Sequence, residues 1–128
     1  MSIQPFPYLM KVCPLDYRYG RKEMKEVFSE EGRLQRLLDV EAALARAHAE
    51  VGNIPREHAE VISEKASTRF VTPERVARIE AEIRHDIMAL VRALSEVCGD
   101  AGRSVHLGAT SNDIIDTATA LQLKAALD

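Results

Sequence analysis

A basic excess is missing from this chain. Lys and Arg number 17 against 20 Asp and Glu, a formal net charge of −3. Without a global positive field to neutralise a phosphate backbone, a nucleic-acid module is not expected. A small anionic ligand is untouched by that argument, because it needs only a local cluster of donors. Cysteine is scarce as well. Cys13 and Cys98 lie far apart and lack metal-ligand company, which speaks against a zinc site and against a disulfide framework; no metal and no cofactor is expected. Long apolar runs are also absent: residues 1–20 carry Pro5, Pro7 and Pro14 and no continuous apolar segment of a signal peptide, and no stretch approaches the length of a membrane span. Apolar alternation of the kind that marks a half-buried strand is nowhere sustained. What remains is 128 residues, 46% hydrophobic and 29% charged, suited to one domain with its own core, no membrane partner and the cytoplasm as default location.

Helical spacing fills most of the chain. After an irregular arm over residues 1–14, a short helix is expected from Lys22 to Phe28 and a long one from about Glu31 to Val51. In the long helix Leu34, Leu37, Leu38, Leu44, Ala45 and Val51 form an apolar stripe, which Glu41 and His48 interrupt. Those two either find buried partners elsewhere or lie at the edge of the stripe. Gly52-Asn53 supplies a stop, and Pro55 opens the next helix, to Ala66, at its first position. Ala59, Ile62 and Ala66 share one side there, and His58 reads as a surface residue. Thr72-Pro73 restarts a helix as N-cap and first residue. From Val76 through Ile79, Ile83, Ile87, Leu90, Val91, Leu94 and Val97 the spacing holds as far as Gly99. Arg84-His85-Asp86 interrupts it. One helix from Pro73 to Cys98 and a break, with Asp86 capping a new helix at Ile87, are equally compatible with the pattern. The fold class expected is all-α.

The densest chemistry lies in Val105 to Asp113, which packs an imidazole, a glycine, two hydroxyls, an amide and a carboxylate just before the apolar positions Ile114, Ile115, Ala118, Leu121 and Ala125. Thr110 and Asp113 have capping-box spacing, and a hydroxyl-lined helix start holds anions well because its free N–H groups and dipole favour negative charge. An ordinary capped helix beside a surface histidine accounts for the same residues. Upstream, Asp16-Tyr17-Arg18-Tyr19-Gly20-Arg21 sets two arginines beside two tyrosines, donors for a phosphate or carboxylate, or else a solvated loop. The last helix shows no stop signal by Asp128, which leads to the expectation that the chain is an N-terminal fragment.

Taken together, Asp16-Tyr17-Arg18-Tyr19-Gly20, Arg84-His85-Asp86-Ile87-Met88-Ala89 and His106-Leu107-Gly108-Ala109-Thr110-Ser111-Asn112-Asp113 resemble, in order and separation, the N-terminal third of the adenylosuccinate lyases. Asp39-Val40-Glu41-Ala42 and Gly52-Asn53-Ile54-Pro55 fit the same resemblance, which spans all but the first dozen residues. The wider superfamily contains fumarase, aspartase, argininosuccinate lyase and carboxymuconate cycloisomerase. Gly108 to Ser111 with Asp116-Thr117-Ala118 also looks like the cycloisomerase, whereas Arg84-His85-Asp86 resembles adenylosuccinate lyase specifically. Fumarase and aspartase would carry a different sequence at both places.

The resemblance implies a small N-terminal helical domain (residues 15–109) followed by the start of a long central helix bundle (residues 110–128). It implies a nucleotide substrate, adenylosuccinate or SAICAR, and a homotetramer whose active sites draw on several subunits. By similarity Arg18 and Tyr19 fall on substrate-binding positions near the phosphate, Arg84, His85 and Asp86 on another binding segment, and Thr110 and Ser111 where a succinyl carboxylate is held. His106 matches a supporting histidine near the reacting centre, and His85 is a supporting residue too. The family's general acid, a histidine, and general base, a serine on a mobile loop, fall in segments not found here, so the fragment alone is expected to be inactive. A carboxymuconate-type cycloisomerase and a non-catalytic helical interaction module are the competing readings.

Overall fold

The computed structural model describes residues 18–128; the arm over residues 1–14, Cys13, Asp16 and Tyr17 lie outside the described residues. Helices follow one another as α1 (Lys22–Val27), α2 (Glu30–Glu50), α3 (Arg56–Lys65), α4 (Pro73–Ile83), α5 (Asp86–Cys98), a 3₁₀ helix (Gly99–Ser104) and α6 (Ser111–Leu127). No strand occurs among the described residues, so the all-α expectation is met. No helix among them is long and apolar enough to cross a membrane.

The helix ends follow from local chemistry. Ser29 caps α2 by accepting from the Gly32 N–H at 3.0 Å, and Thr72 caps α4 by accepting from Arg75 with Pro73 behind it. The α2 terminus is a Schellman turn: Gly52 takes φ +80, the Asn53 N–H closes on the His48 carbonyl at 2.9 Å and the Gly52 N–H on Ala49 at 3.2 Å. Pro55 is the N-cap of α3, one position earlier than expected, so the helix starts at Arg56. Val51, counted in the α2 stripe, has passed the helix end and is 72% exposed.

The open question at Arg84-His85-Asp86 resolves as a break. Arg84 ends α4 in the left-handed region (φ +55, ψ +40), and His85, extended, is the N-cap of α5, its Nδ1 accepting from the Met88 N–H at 3.2 Å. Asp86 is therefore the first residue of the new helix rather than its cap, with Oδ1 accepting from Ile87 N–H at 2.8 Å. The apolar spacing survives because the break returns Ile87 to the core.

That core is one cluster. Leu34, Leu37 and Leu38 from α2 meet Ile62 from α3, Ile79 from α4, Ile87, Leu90 and Leu94 from α5 and Ile114 from α6. Each such side chain, once out of water, contributes roughly 1.5–3 kcal/mol. Helix α2 is the hub, packing against α3 and α6, while α4 pairs with α5 and the 3₁₀ helix wedges against α3 and α5. The α6 stripe turns inward at Ile114 and Ala118; the next buried residue is Gln122, whose Nε2 donates to the Val27 carbonyl at 2.8 Å and ties α6 to α1. Gln35 does the same for the 66–71 turn, donating to the Ala66 carbonyl and accepting from the Thr68 N–H.

Candidate functional site

Segment 99–109, which joins the core to α6, is held from below at four successive points. Gly102 sits so close to α5 that an added Cβ would lie 2.5 Å from the Ser95 backbone oxygen, and the Ser95 hydroxyl donates to the Gly102 carbonyl at 3.1 Å. Two residues on, the buried Ser104 hydroxyl bonds His58 Nδ1 at 2.8 Å. His106 Nδ1 bonds Glu41 Oε1 at 2.6 Å. Leu107 then offers its carbonyl to His48 Nε2 at 2.8 Å. A carbonyl only accepts, so His48 Nε2 carries the hydrogen and its Nδ1 accepts from Asn53 Nδ2 at 2.9 Å. Glu41 and His48, the residues that interrupt the α2 stripe, thus stand two turns apart on one helix face and grip consecutive residues of the segment. His58, expected at the surface, is a further correction: its side chain is only 12% exposed.

This grip stabilises an uncommon backbone. His106 has φ +61 and Gly108 φ +68. Glycine adopts that region freely, but a residue with a Cβ gives up about 1–2 kcal/mol there. The Glu41 bond fixes the His106 ring at 12% side-chain exposure. His106 Nε2 makes no hydrogen bond among the described residues and is not fully buried, the one buried polar side-chain atom without a partner there being Glu41 Oε2. Glu41 itself is fully enclosed, and burial pushes its carboxyl above the ordinary carboxylate value even though the His106 bond and charge pull the other way.

Immediately beyond, Thr110 is the N-cap of α6 and Asp113 closes the capping box, its Oδ2 accepting from the Thr110 N–H at 2.9 Å. Ser111 begins the helix, so its hydroxyl and the free first-turn N–H groups share one end with Thr110. The N-cap of α6 follows His106 by four residues, and His106 and Leu107 between them are bonded to Glu41 and His48 of α2.

The remaining sequence-derived positions lie apart. Arg18 and Tyr19 are exposed ahead of α1, Tyr19 at 67%. Arg84, His85 and Asp86 are exposed at the α4–α5 break, with His85 Nδ1 3.7 Å from Asp86 Oδ1. Among the described residues no hydrogen bond or ion pair joins these two segments to each other or to Thr110 and Ser111. The sequence marks Glu41 and His48 as interruptions of a stripe, with partners elsewhere as one of two alternatives; that alternative holds, and the partners are His106 for Glu41 and Leu107 with Asn53 for His48. Ser104 and the role of His58 it does not mark, since their partnership spans 46 positions and leaves no local signal.

Residues 16–128 match the sequence profile of a protein family described as lyase. Adenylosuccinate lyase of Pyrococcus abyssi is 69% identical over 118 residues, covering 92% of this chain and 26% of that protein. Its counterpart in Pyrococcus horikoshii is 67% identical over 119 residues, covering 93% and 26%. Among solved structures, the 3-carboxy-cis,cis-muconate lactonizing enzyme from Pseudomonas putida superposes with a TM-score of 0.82 at 39% identity, over 90% of this chain and 27% of that one. The chain therefore spans about a quarter of the length of the curated relatives it matches.

Proposed function

The chain belongs to the lyase family whose profile it matches, and we propose that it is the N-terminal part of an adenylosuccinate lyase. Such an enzyme, in purine biosynthesis, eliminates fumarate from adenylosuccinate to leave AMP and from SAICAR to leave AICAR. The observation that carries the proposal is the 69% identity over 118 residues to an enzyme of that name.

The geometry supports a division of labour. The reaction is a β-elimination: a base removes a proton beside a carboxylate, and an acid protonates the departing nitrogen. Charge developing on that carboxylate is met best by preorganised donors, and Thr110, Ser111 and the α6 N-terminus supply them. His106, four residues before that N-cap with Nε2 not fully buried, and His85 act as supporting residues. Arg18 and Tyr19 serve the phosphate, and Arg84, His85 and Asp86 a second binding wall. The general acid and general base belong to segments of the enzyme beyond those matched here, so the 128 residues alone release no fumarate. Residues 15–109 form the small helical domain, and α6 begins the central bundle. Exposed positions that are not bonded together suit a site completed by other copies in a homotetramer. No cofactor enters the scheme, and the cytoplasm is the proposed location.

The test is a graft. This chain replaces the matching N-terminal segment of the Pyrococcus abyssi enzyme, and the hybrid is assayed for fumarate release from adenylosuccinate. Turnover is expected; a hybrid that assembles like the parent yet leaves adenylosuccinate intact overturns the proposal. One observation favours a second reading, the 0.82 TM-score to the carboxymuconate enzyme. A cycloisomerase needs no nucleotide site, so tight AMP binding by the hybrid counts against it. A non-catalytic interaction module predicts that His85 and His106 can be replaced in the hybrid without loss of rate.

A further inference from the structure

Glu41 is the least expected residue in the molecule. It is a carboxyl group with no exposed surface, on the core face of α2, with one oxygen bonded to His106 Nδ1 at 2.6 Å and the other without a partner among the described residues. We propose that Glu41 is a positioning residue for His106: it keeps a proton in the Oε1–Nδ1 bond and thereby leaves Nε2, which is not fully buried, as an N–H donor four residues ahead of the α6 N-cap. The inference deepens the lyase reading and rests on it only for the anionic oxygen that Nε2 would meet. Where the protons sit is a property of this chain alone.

If Glu41 is ionised and the ring doubly protonated, the bridging hydrogen is on Nδ1 and Nε2 carries a hydrogen. If Glu41 is protonated and the ring neutral, the bridging hydrogen is on Oε1 and Nε2 again carries a hydrogen. Both arrangements leave the pair with no net charge. Only loss of a further proton would bare Nε2, and it would leave a net negative charge on a carboxylate whose Oε2 finds no donor among the described residues, an arrangement low-dielectric surroundings penalise heavily. Burial holding the Glu41 carboxyl above its ordinary range agrees with this.

The other charged groups on this segment are engaged elsewhere. From α2, His48 is bonded to the Leu107 carbonyl and Asn53. From α3, His58 is bonded to Ser104 and lies 3.7 Å from Asp100. On the 3₁₀ helix Arg103 lies 3.5 Å from Asp100, and on α6 Asp113 is spent on the Thr110 N–H. None of these supplies a second donor to Glu41. A donor Nε2 is what a site for carboxylates and phosphate requires; a bare Nε2 would repel them.

The experiment is nitrogen-15 NMR of the histidine-labelled 128-residue chain at pH 8, which reads the hydrogen on each ring nitrogen directly and requires no turnover. The expected result is a hydrogen on His106 Nε2 together with a far-downfield bridging proton. A ring with its only hydrogen on Nδ1 and a bare Nε2 overturns the proposal, and this arm needs no variant. In Glu41→Gln, checked by its melting curve to be folded, the bridging proton signal disappears; its persistence also overturns the assignment to Glu41. In the active hybrid the same substitution lowers kcat/KM by about 10–100-fold, the range for losing a residue that orients a site imidazole, with an altered pH profile. An unchanged profile refutes the functional half alone.

Discussion

Gly102 is the position at which one methyl group should disturb both stability and site. An alanine Cβ there would lie 2.5 Å from the Ser95 carbonyl oxygen, 3.0 Å from its Cα and 3.1 Å from its carbonyl carbon. All three are backbone atoms in the last turn of α5, so no side chain can swing away, and relief needs roughly an ångström of movement by the 3₁₀ helix. That movement strains the Ser95–Gly102 and His58–Ser104 bonds together. Overpacking of this kind costs about 1–3 kcal/mol, which for a chain of this size lowers Tm by roughly 5–15 °C. In the active hybrid the shift also carries His106 with it, and a misplacement near 1 Å costs on the order of 100-fold in rate. Circular-dichroism melting of Gly102→Ala beside wild type is the assay, with Gly99→Ala as control. Gly99 has φ +56 and nothing within 4 Å of an added Cβ, so it carries backbone strain without collision, whereas Gly102, whose φ is not positive, carries collision alone. A Gly102→Ala chain melting within a degree of wild type refutes the claim that α5 sets the height of this segment.

Raising the pH should cost wild type more than Glu41→Gln. Because the Glu41 carboxyl lies above its ordinary 4.5 in the folded state, the folded chain binds that proton more tightly than the unfolded one, so its contribution is full below about pH 4.5 and is lost as pH rises through the folded value; a Tm difference between the two chains that stays flat from pH 4 to 8 contradicts this. Asp113→Ala removes half of the α6 capping box and should cost about 1 kcal/mol in urea unfolding, with no loss predicted for Asp116→Ala, which is exposed and outside the box. The Cys98 thiol is buried and pushed up to about 11 by that burial, so in a Cys13→Ser chain Ellman's reagent at pH 8 should react only after denaturant is added. The double variant Glu41→Leu/His106→Asn should melt at or above wild type while the corresponding hybrid loses activity.

What could be read from the sequence was what is written locally. Thr72-Pro73, Gly52-Asn53 and the Thr110–Asp113 spacing each carry their own turn or cap chemistry, and each end formed within a residue or so of where that chemistry put it. The Arg84–His85 break was undecidable because core spacing continues across it: Ile83 and Ile87 are one turn apart whether or not the helix is interrupted, and the deciding fact is the left-handed backbone of Arg84. The 3₁₀ helix over Gly99–Ser104 left no periodic trace, since its short run of Gly, Asp, Ala and Arg is shaped by contact with Ser95 and His58 rather than by its own propensities. The candidate site divides the same way. His106, Thr110 and Ser111 stand out as a dense run, but what orients His106 comes from 65 positions away and showed only as a glutamate in the wrong place on an apolar stripe.

That misplaced glutamate cannot be explained by stability. A buried carboxyl with an orphaned oxygen loses several kcal/mol of hydration that one hydrogen bond does not restore, and His106 adds the strain of φ +61. Replacing a buried polar pair by apolar groups of similar volume is often neutral or stabilising, by about 1–4 kcal/mol. At these positions leucine fills the enclosed Glu41 site beside Leu37, Leu38 and Ala45, and asparagine is among the few residues besides glycine that visit the left-handed backbone routinely. By packing alone, then, α2 would carry an uninterrupted apolar stripe through residue 41. The side of the balance on which Glu41 and His106 do contribute is orientation: a ring whose inner nitrogen is held, four residues ahead of the N-cap of a helix whose N-terminus favours anions. Melting temperature and activity of the double variant should therefore move in opposite directions. A double variant that melts well below wild type would return Glu41 to the fold and take the positioning role from it.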